Sequence, residues 1–143
     1  MDKKEIIKKL IEHTKEDFLS YFEDKSIQVK ASEILEMALT GNSLLFSKRD
    51  ELDSIIPDTE DDGSFACSYA LNTGIMILNL IDFELTGDDK FYNNTITLFF
   101  DTVDFKVHED LEQKYVTNPT ESEIIKHDIF IREKKWFDNL FNN

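Results

Sequence analysis

The sequence predicts an all-α fold, a single-domain bundle of about six helices over residues 1–143 with a buried central helix at residues 64–86. Three observations predict it. Apolar residues recur at three- and four-residue spacing through most of the chain. Four glycines and two prolines leave few interruptions, and capping residues stand where the periodic stretches begin and end. At 143 residues and 41% hydrophobic, the chain suits one core that buries roughly two thirds of its unfolded surface.

The opening helix, about twenty residues long, follows from Ile6, Ile7, Leu10, Ile11, Phe18, Leu19 and Phe22, which fall on one helical face. A second runs from Ser26 to Gly41, with Ile27, Ala31, Ile34, Leu35, Ala38 and Leu39 as its stripe and Gly41 as its stop. Asn42 or Ser43 caps a short third helix through Leu45, Phe46, Leu52 and Ile55, which Pro57 ends. From Ser64 to Thr86 apolar residues lie on nearly every side, as in a helix surrounded by others; Asp62 or Ser64 caps it and Gly87 stops it. Within it Ala66, Ala70 and Gly74 form a flat strip that a neighbouring helix can approach closely.

Asp88 caps the next helix and Asp89 sits in its first turn. Residues Thr95 to Val107 carry two patterns. Ile96, Leu98, Phe100, Val103, Phe105 and Val107 alternate as in a strand, whereas Tyr92, Ile96, Phe99, Phe100, Val103, Val107 and Leu111 make a helical stripe longer than an ordinary strand. The length favours helix. Thr120 and Glu123 form a capping box for the last helix, whose buried face is Ile124, Ile125, Ile129, Phe130, Trp136, Phe137, Leu140 and Phe141.

The net charge is −14, and it is unevenly placed. Residues 1–49 hold nine acids and nine bases and residues 113–143 five of each, so the whole imbalance lies in residues 50–112, where sixteen acids face Lys90 and Lys106. Such a field repels nucleic acid and anionic membrane and attracts basic protein surfaces. The most apolar stretch, Leu71 to Leu85, carries Asn72, Asn79, Asp82 and Glu84, too polar for a membrane span, and no signal-length apolar run follows the first lysines. A cytoplasmic protein is the expectation. The single Cys67 lies among Phe65, Ala66 and Tyr69, which suits an inert core thiol.

Chemical motifs are sparse. Asp58, Glu60, Asp62 and Gly63 have the spacing that opens a calcium loop, but Tyr69 stands where the bidentate glutamate belongs and Pro57 breaks the incoming helix. Asp104 with His108, and Glu123 with His127, are spaced to share a helical face; such pairs are ordinary solvent-facing partners. There is no serine elbow and no phosphate-cradling glycine loop. No cofactor, metal or catalytic residue is expected.

The stretches IIPDTEDD, SYALNTGIMIL, DTVDFKVHED and NPTESEIIKHDIFIREKKWFDNLF together resemble the YjaG-like family of small, uncharacterised bacterial proteins. The resemblance covers residues 45–141 and rests on Ile56, Pro57, Asp62, Tyr69, Ala70, Thr102, Val103, Asp104 and Phe105. It implies an all-helical fold, with residues 95–107 as helix, and brings no catalytic residues. Relatives of this size stand beside bacterial toxin genes as immunity proteins. This chain is shorter than the longer members and departs from them at His108 and Glu109.

The expected function is therefore that of a non-enzymatic, acidic protein-binding protein, most concretely an immunity-type inhibitor of a basic toxin or nuclease. Its contact charges are Asp58, Glu60, Asp61, Asp62, Asp88, Asp89 and Asp101. The alternatives are a helical adaptor in signalling or regulation, binding through an exposed apolar groove, and a metal-binding protein or enzyme in which Asp104 and His108 converge in a pocket.

Overall fold

A computed structural model describes residues 1–60 and 62–142. It is all-helical, with no strand among the described residues. The α-helices are α1 (Lys3–Leu19), α2 (Lys25–Thr40), α3 (Arg49–Ile55), α4 (Phe65–Thr86), α5 (Asp89–Gln113), α6 (Glu121–Ile125) and α7 (Asp128–Asn139); a 3-10 helix (Ser43–Lys48) precedes α3.

Local chemistry sets the boundaries. The Asp2 and Asp24 carboxylates accept the free amides that begin α1 and α2, the Ser64 hydroxyl accepts Cys67 N–H at the start of α4, and Asp88 caps α5. Gly41 and Gly87 end α2 and α4 in the left-handed conformation, at φ 71° and 69°. Residues 95–107 lie inside α5, with Phe99, Val103 and Val107 buried as the helical stripe requires. Thr120 and Glu123 form both halves of the capping box.

Two elements divide where one helix was expected. Asn42 caps the 3-10 helix rather than an α-helix, and α3 begins only at Arg49, whose guanidinium grips Asp82 of α4 through two hydrogen bonds of 3.0 and 2.8 Å. The last helix breaks at His127. The Nδ1 atom of His127 accepts Ile129 N–H at 3.0 Å and caps α7, so its Nε2–H donates to the Asp110 carboxylate on α5 at 2.7 Å. The break frees α7 to take its own direction while His127 satisfies the amide that the break exposes.

Helix directions follow from paired residues. Thr73 donates to the Thr14 carbonyl and Lys4 pairs with Glu84, so α1 and α4 are antiparallel. Asn72 donates to Thr102 and Tyr69 to Glu109, so α4 and α5 are antiparallel as well. Between α1 and α5, Lys3 meets Asp89 at one end and Asp17 meets Lys106 towards the other. Helix α4 is also the one helix among the described residues long and apolar enough to cross a membrane; here it packs against α1 and α5.

A hydrophobic cluster joins Ile7, Leu10, Ile11 and Phe18 of α1 with Ile34, Leu45 and Leu52, with Met76, Ile77, Leu80 and Ile81 of α4, and with Phe99, Val103 and Leu140. The small-residue strip of α4 is only partly covered. Ala66 is exposed, whereas Gly74 receives Ile56 and Phe18: a Cβ there would stand 2.7 Å from Ile56 Cγ1 and 3.3 Å from Phe18 Cε1.

Polar groups in the α4–α5 seam are mostly paired. Asn72 Nδ2 donates to Thr102 Oγ1 at 3.0 Å, and the Thr102 hydroxyl donates to the Leu98 carbonyl. One turn pair further along α4, Asn79 is 5% exposed and its Nδ2 has no partner among the described residues. A buried donor left unpaired costs stability that an apolar group of similar size does not. Asn79→Leu is therefore expected to raise unfolding free energy by about 1 kcal/mol, read from the urea midpoint at unchanged slope; a lowered midpoint would contradict this assignment.

Candidate partner-binding surface

The acids singled out in the sequence do not meet in one patch. Asp58, Glu60 and Asp62 precede α4, Asp88 and Asp89 follow it, and the helix between them is 22 residues long, about 33 Å. Asp101 is exposed on α5, about 18 Å along the helix from Asp89. Asp61 lies outside the described residues.

The two ends differ in how their charge is met. At the C-terminal end of α4, Asp82 is held by Arg49, Glu84 by Lys4 at 2.7 Å and Asp89 by Lys3 at 2.8 Å. Asp88 is spent on capping α5, with Lys90 at 4.0 Å. Bases from the balanced N-terminal part of the chain thus answer acids of the middle part. The hydrogen bond to Glu84 raises the Lys4 pKa, and that to Asp82 raises Arg49.

The other end has no such answer. Asp58 accepts Glu60 N–H at 2.9 Å and Asp62 accepts Ser64 N–H at 3.0 Å, so both carboxylates fold back onto their own turn. The second Asp62 oxygen accepts the Tyr21 hydroxyl at 3.1 Å, which ties this loop to the α1–α2 turn. The Ser64 amide and hydroxyl hold the Asp62 carboxyl below its usual range, and contact with the Cys67 thiol, partial burial and Asp62 push the Tyr21 phenol well above its own. Asp62 shares a cleft of about 300 Å³ with Tyr21, Phe22, Glu23, Asp24 and Ile27. The Asp24 carboxyl is held low by the Ser26 hydroxyl and by the amides it caps. Among the described residues no lysine, arginine or histidine comes within ion-pair distance of Glu23, Asp24, Asp58, Glu60 or Asp62.

Glu23 and Asp24 escaped the charge count because they belong to a segment whose acids and bases balance. The available signal was their adjacency in the turn that ends the first helix. Conversely, Asp88 caps α5 as its place in the sequence predicts, and Asp89, expected as a contact charge, is engaged by Lys3.

The remaining candidates have other partners. Among the described residues no group of three or more histidine, cysteine or acidic side chains is placed to hold a metal ion. Glu123 serves its capping box, and His127 serves Asp110 and Ile129. Tyr69, at the failed calcium-ligand position, turns to Glu109 at 3.2 Å; burial first, then Glu109, raises its pKa. Cys67 is a buried free thiol, 3.7 Å from the Asp58 carbonyl. Of the twelve phenylalanines only Phe46 and Phe141 are exposed; Phe141 packs edge-on to Phe137, while Phe46 lines a separate cleft with Lys4 and Phe83.

The fold and this surface define an all-helical bundle with one acidic end whose carboxylates form no ion pair among the described residues. No family model, curated protein or solved structure matches the chain.

Proposed function

We propose that this protein is a non-enzymatic binding protein that covers a basic protein partner with the end carrying Glu23, Asp24, Asp58, Glu60 and Asp62, in the manner of an immunity protein against a toxin or nuclease. The observation that carries the reading is the asymmetry between the two ends of α4: acids at one end are matched by Arg49, Lys4 and Lys3, and those at the other form no ion pair among the described residues. Unmatched surface charge speeds encounter with an oppositely charged partner and loses force as salt screens it. The Tyr21–Asp62 hydrogen bond and the Asp58 and Asp62 turns hold these carboxylates in place before any partner arrives, which lowers the ordering cost of binding.

The test is kinetic. A partner captured from cells carrying the natural gene neighbourhood should be basic, and its association rate should fall about tenfold for Asp58→Asn/Glu60→Gln/Asp62→Asn, with a shallower salt dependence. Asp101→Asn, on the flank of α5, should leave the rate within about twofold. Equal rates for the triple variant and the parent chain would overturn the proposal.

A further inference from the structure

A second cleft, of about 390 Å³, opens between the first turn of α4, the last turns of α5 and the loop after α5. Phe65, Phe105, Val116 and Pro119 make its apolar walls. Asp104, His108 and Glu112, each four residues from the next on α5, line one side of it.

Local structure explains how the walls come together. Tyr115 adopts φ 63° after the last turn of α5, its N–H bonds the Glu112 carbonyl, and Val116 N–H returns to the Leu111 carbonyl at 2.8 Å. This is a Schellman ending, and it turns the chain back so that Val116 and Pro119 roof the helix. His108 Nδ1 donates to the Asp104 carbonyl at 2.8 Å, so the neutral ring carries its hydrogen there and keeps a lone pair on Nε2, which has no partner among the described residues. The Asp104 carboxylate stands 3.6 Å from Nδ1, too far for a good hydrogen bond. Glu112 makes no ion pair among the described residues, and neither lysine nor arginine lines the cleft.

The cleft thus presents two carboxylates and an imidazole acceptor beside aromatic and aliphatic walls, in a volume typical of small-molecule sites. An anion would be repelled by Asp104 and Glu112. A neutral apolar molecule would leave both carboxylates unanswered, and a hydrated metal ion would gain nothing from Phe65 and Phe105. A cation on an apolar body satisfies every wall: its ring or chain packs on the phenylalanines, with attraction between the positive charge and the ring faces, and its N–H groups donate to the carboxylates and to Nε2.

We propose that this cleft is a binding site for a small organic cation of the arylalkylamine class. Titrating 2-phenylethylamine into the full chain should give a saturable heat of binding and amide shifts centred on Phe65 and residues 104–119. The neutral 2-phenylethanol and the anion phenylacetate should give neither. Asp104→Asn/Glu112→Gln should weaken the amine by about tenfold or more, and Glu112→Gln alone, on an exposed helical position, should weaken it measurably with unchanged circular dichroism. Absence of saturation at millimolar amine, equal binding of the alcohol, or indifference to both variants would overturn the proposal.

Discussion

Replacing Phe18 with alanine lowers the stability of the bundle by about 4 kcal/mol, and the melting temperature by roughly 10–15 °C. Phe18 is fully buried near the C-terminal end of α1, and its ring meets Phe22 edge to face with centroids 5.1 Å apart. The loss comprises the transfer of a phenyl group and the void that remains. The size of that void depends on whether neighbours can move into it. Facing the ring is Gly74, which has no side chain to offer, and Ile56 already fills the space above Gly74. The site therefore collapses poorly, which places the cost towards the upper part of the usual range for such truncations. Phe18→Leu, which keeps most of the volume, should cost about 1 kcal/mol. Urea unfolding at constant slope reads both; a loss below about 1.5 kcal/mol for the alanine variant would mean that the surroundings refill the hole.

The same pair of residues shows what sequence can and cannot convey. That Phe18 and Gly74 are core positions follows from helical spacing; that they touch does not, because 56 residues separate them and only the antiparallel packing of α1 on α4 brings them together. Boundaries were legible wherever the determinant is local: Ser64, Gly87, Asp88 and the Thr120–Glu123 box act on amides and carbonyls within a few residues. The ambiguous stretch 95–107 resolved as helix because its stripe outlasts a strand, and Phe99, Val103 and Val107 lie buried on that stripe. The break at His127 was not legible, since what makes it favourable is Asp110, on another helix. Charge behaved likewise. Counting along the chain located the excess in residues 50–112, but Lys3, Lys4 and Arg49 reach across to Asp89, Glu84 and Asp82, and Glu23 and Asp24 join Asp62.

Acid should weaken the hold of the bundle on α7, and Glu133 supplies one cause. Helix α7 has no fully buried residue of its own; aromatic contacts of Trp136 and Phe137 with Phe99 and Phe100, the His127–Asp110 contact at its cap and an ionic contact made from within the helix hold it to the bundle. In that contact His13 Nε2–H donates to the Glu133 carboxylate at 2.6 Å, while the His13 ring lies flat on Trp136 with centroids 3.6 Å apart. Glu133 is only 13% exposed, and the His13 hydrogen bond, with Arg132 adding, holds its carboxyl below the ordinary value despite the opposing effect of burial. A carboxyl depressed in the folded state stabilises the fold fully above its unfolded pKa, near 4.3, and the contribution disappears as pH falls through the lower folded value. Glu133→Gln should thus cost about 2 kcal/mol at neutral pH, and the gap to the parent chain should narrow as pH is lowered from neutral to about pH 3, as the parent carboxyl takes up its proton. Because Asp24, Asp62 and Asp110 are also held low, the parent chain loses stability in acid for several reasons at once. The difference between the two chains isolates Glu133. Urea unfolding followed by Trp136 fluorescence at both pH values measures it, and a gap that stays constant would show that the His13–Glu133 contact does not carry the pH dependence.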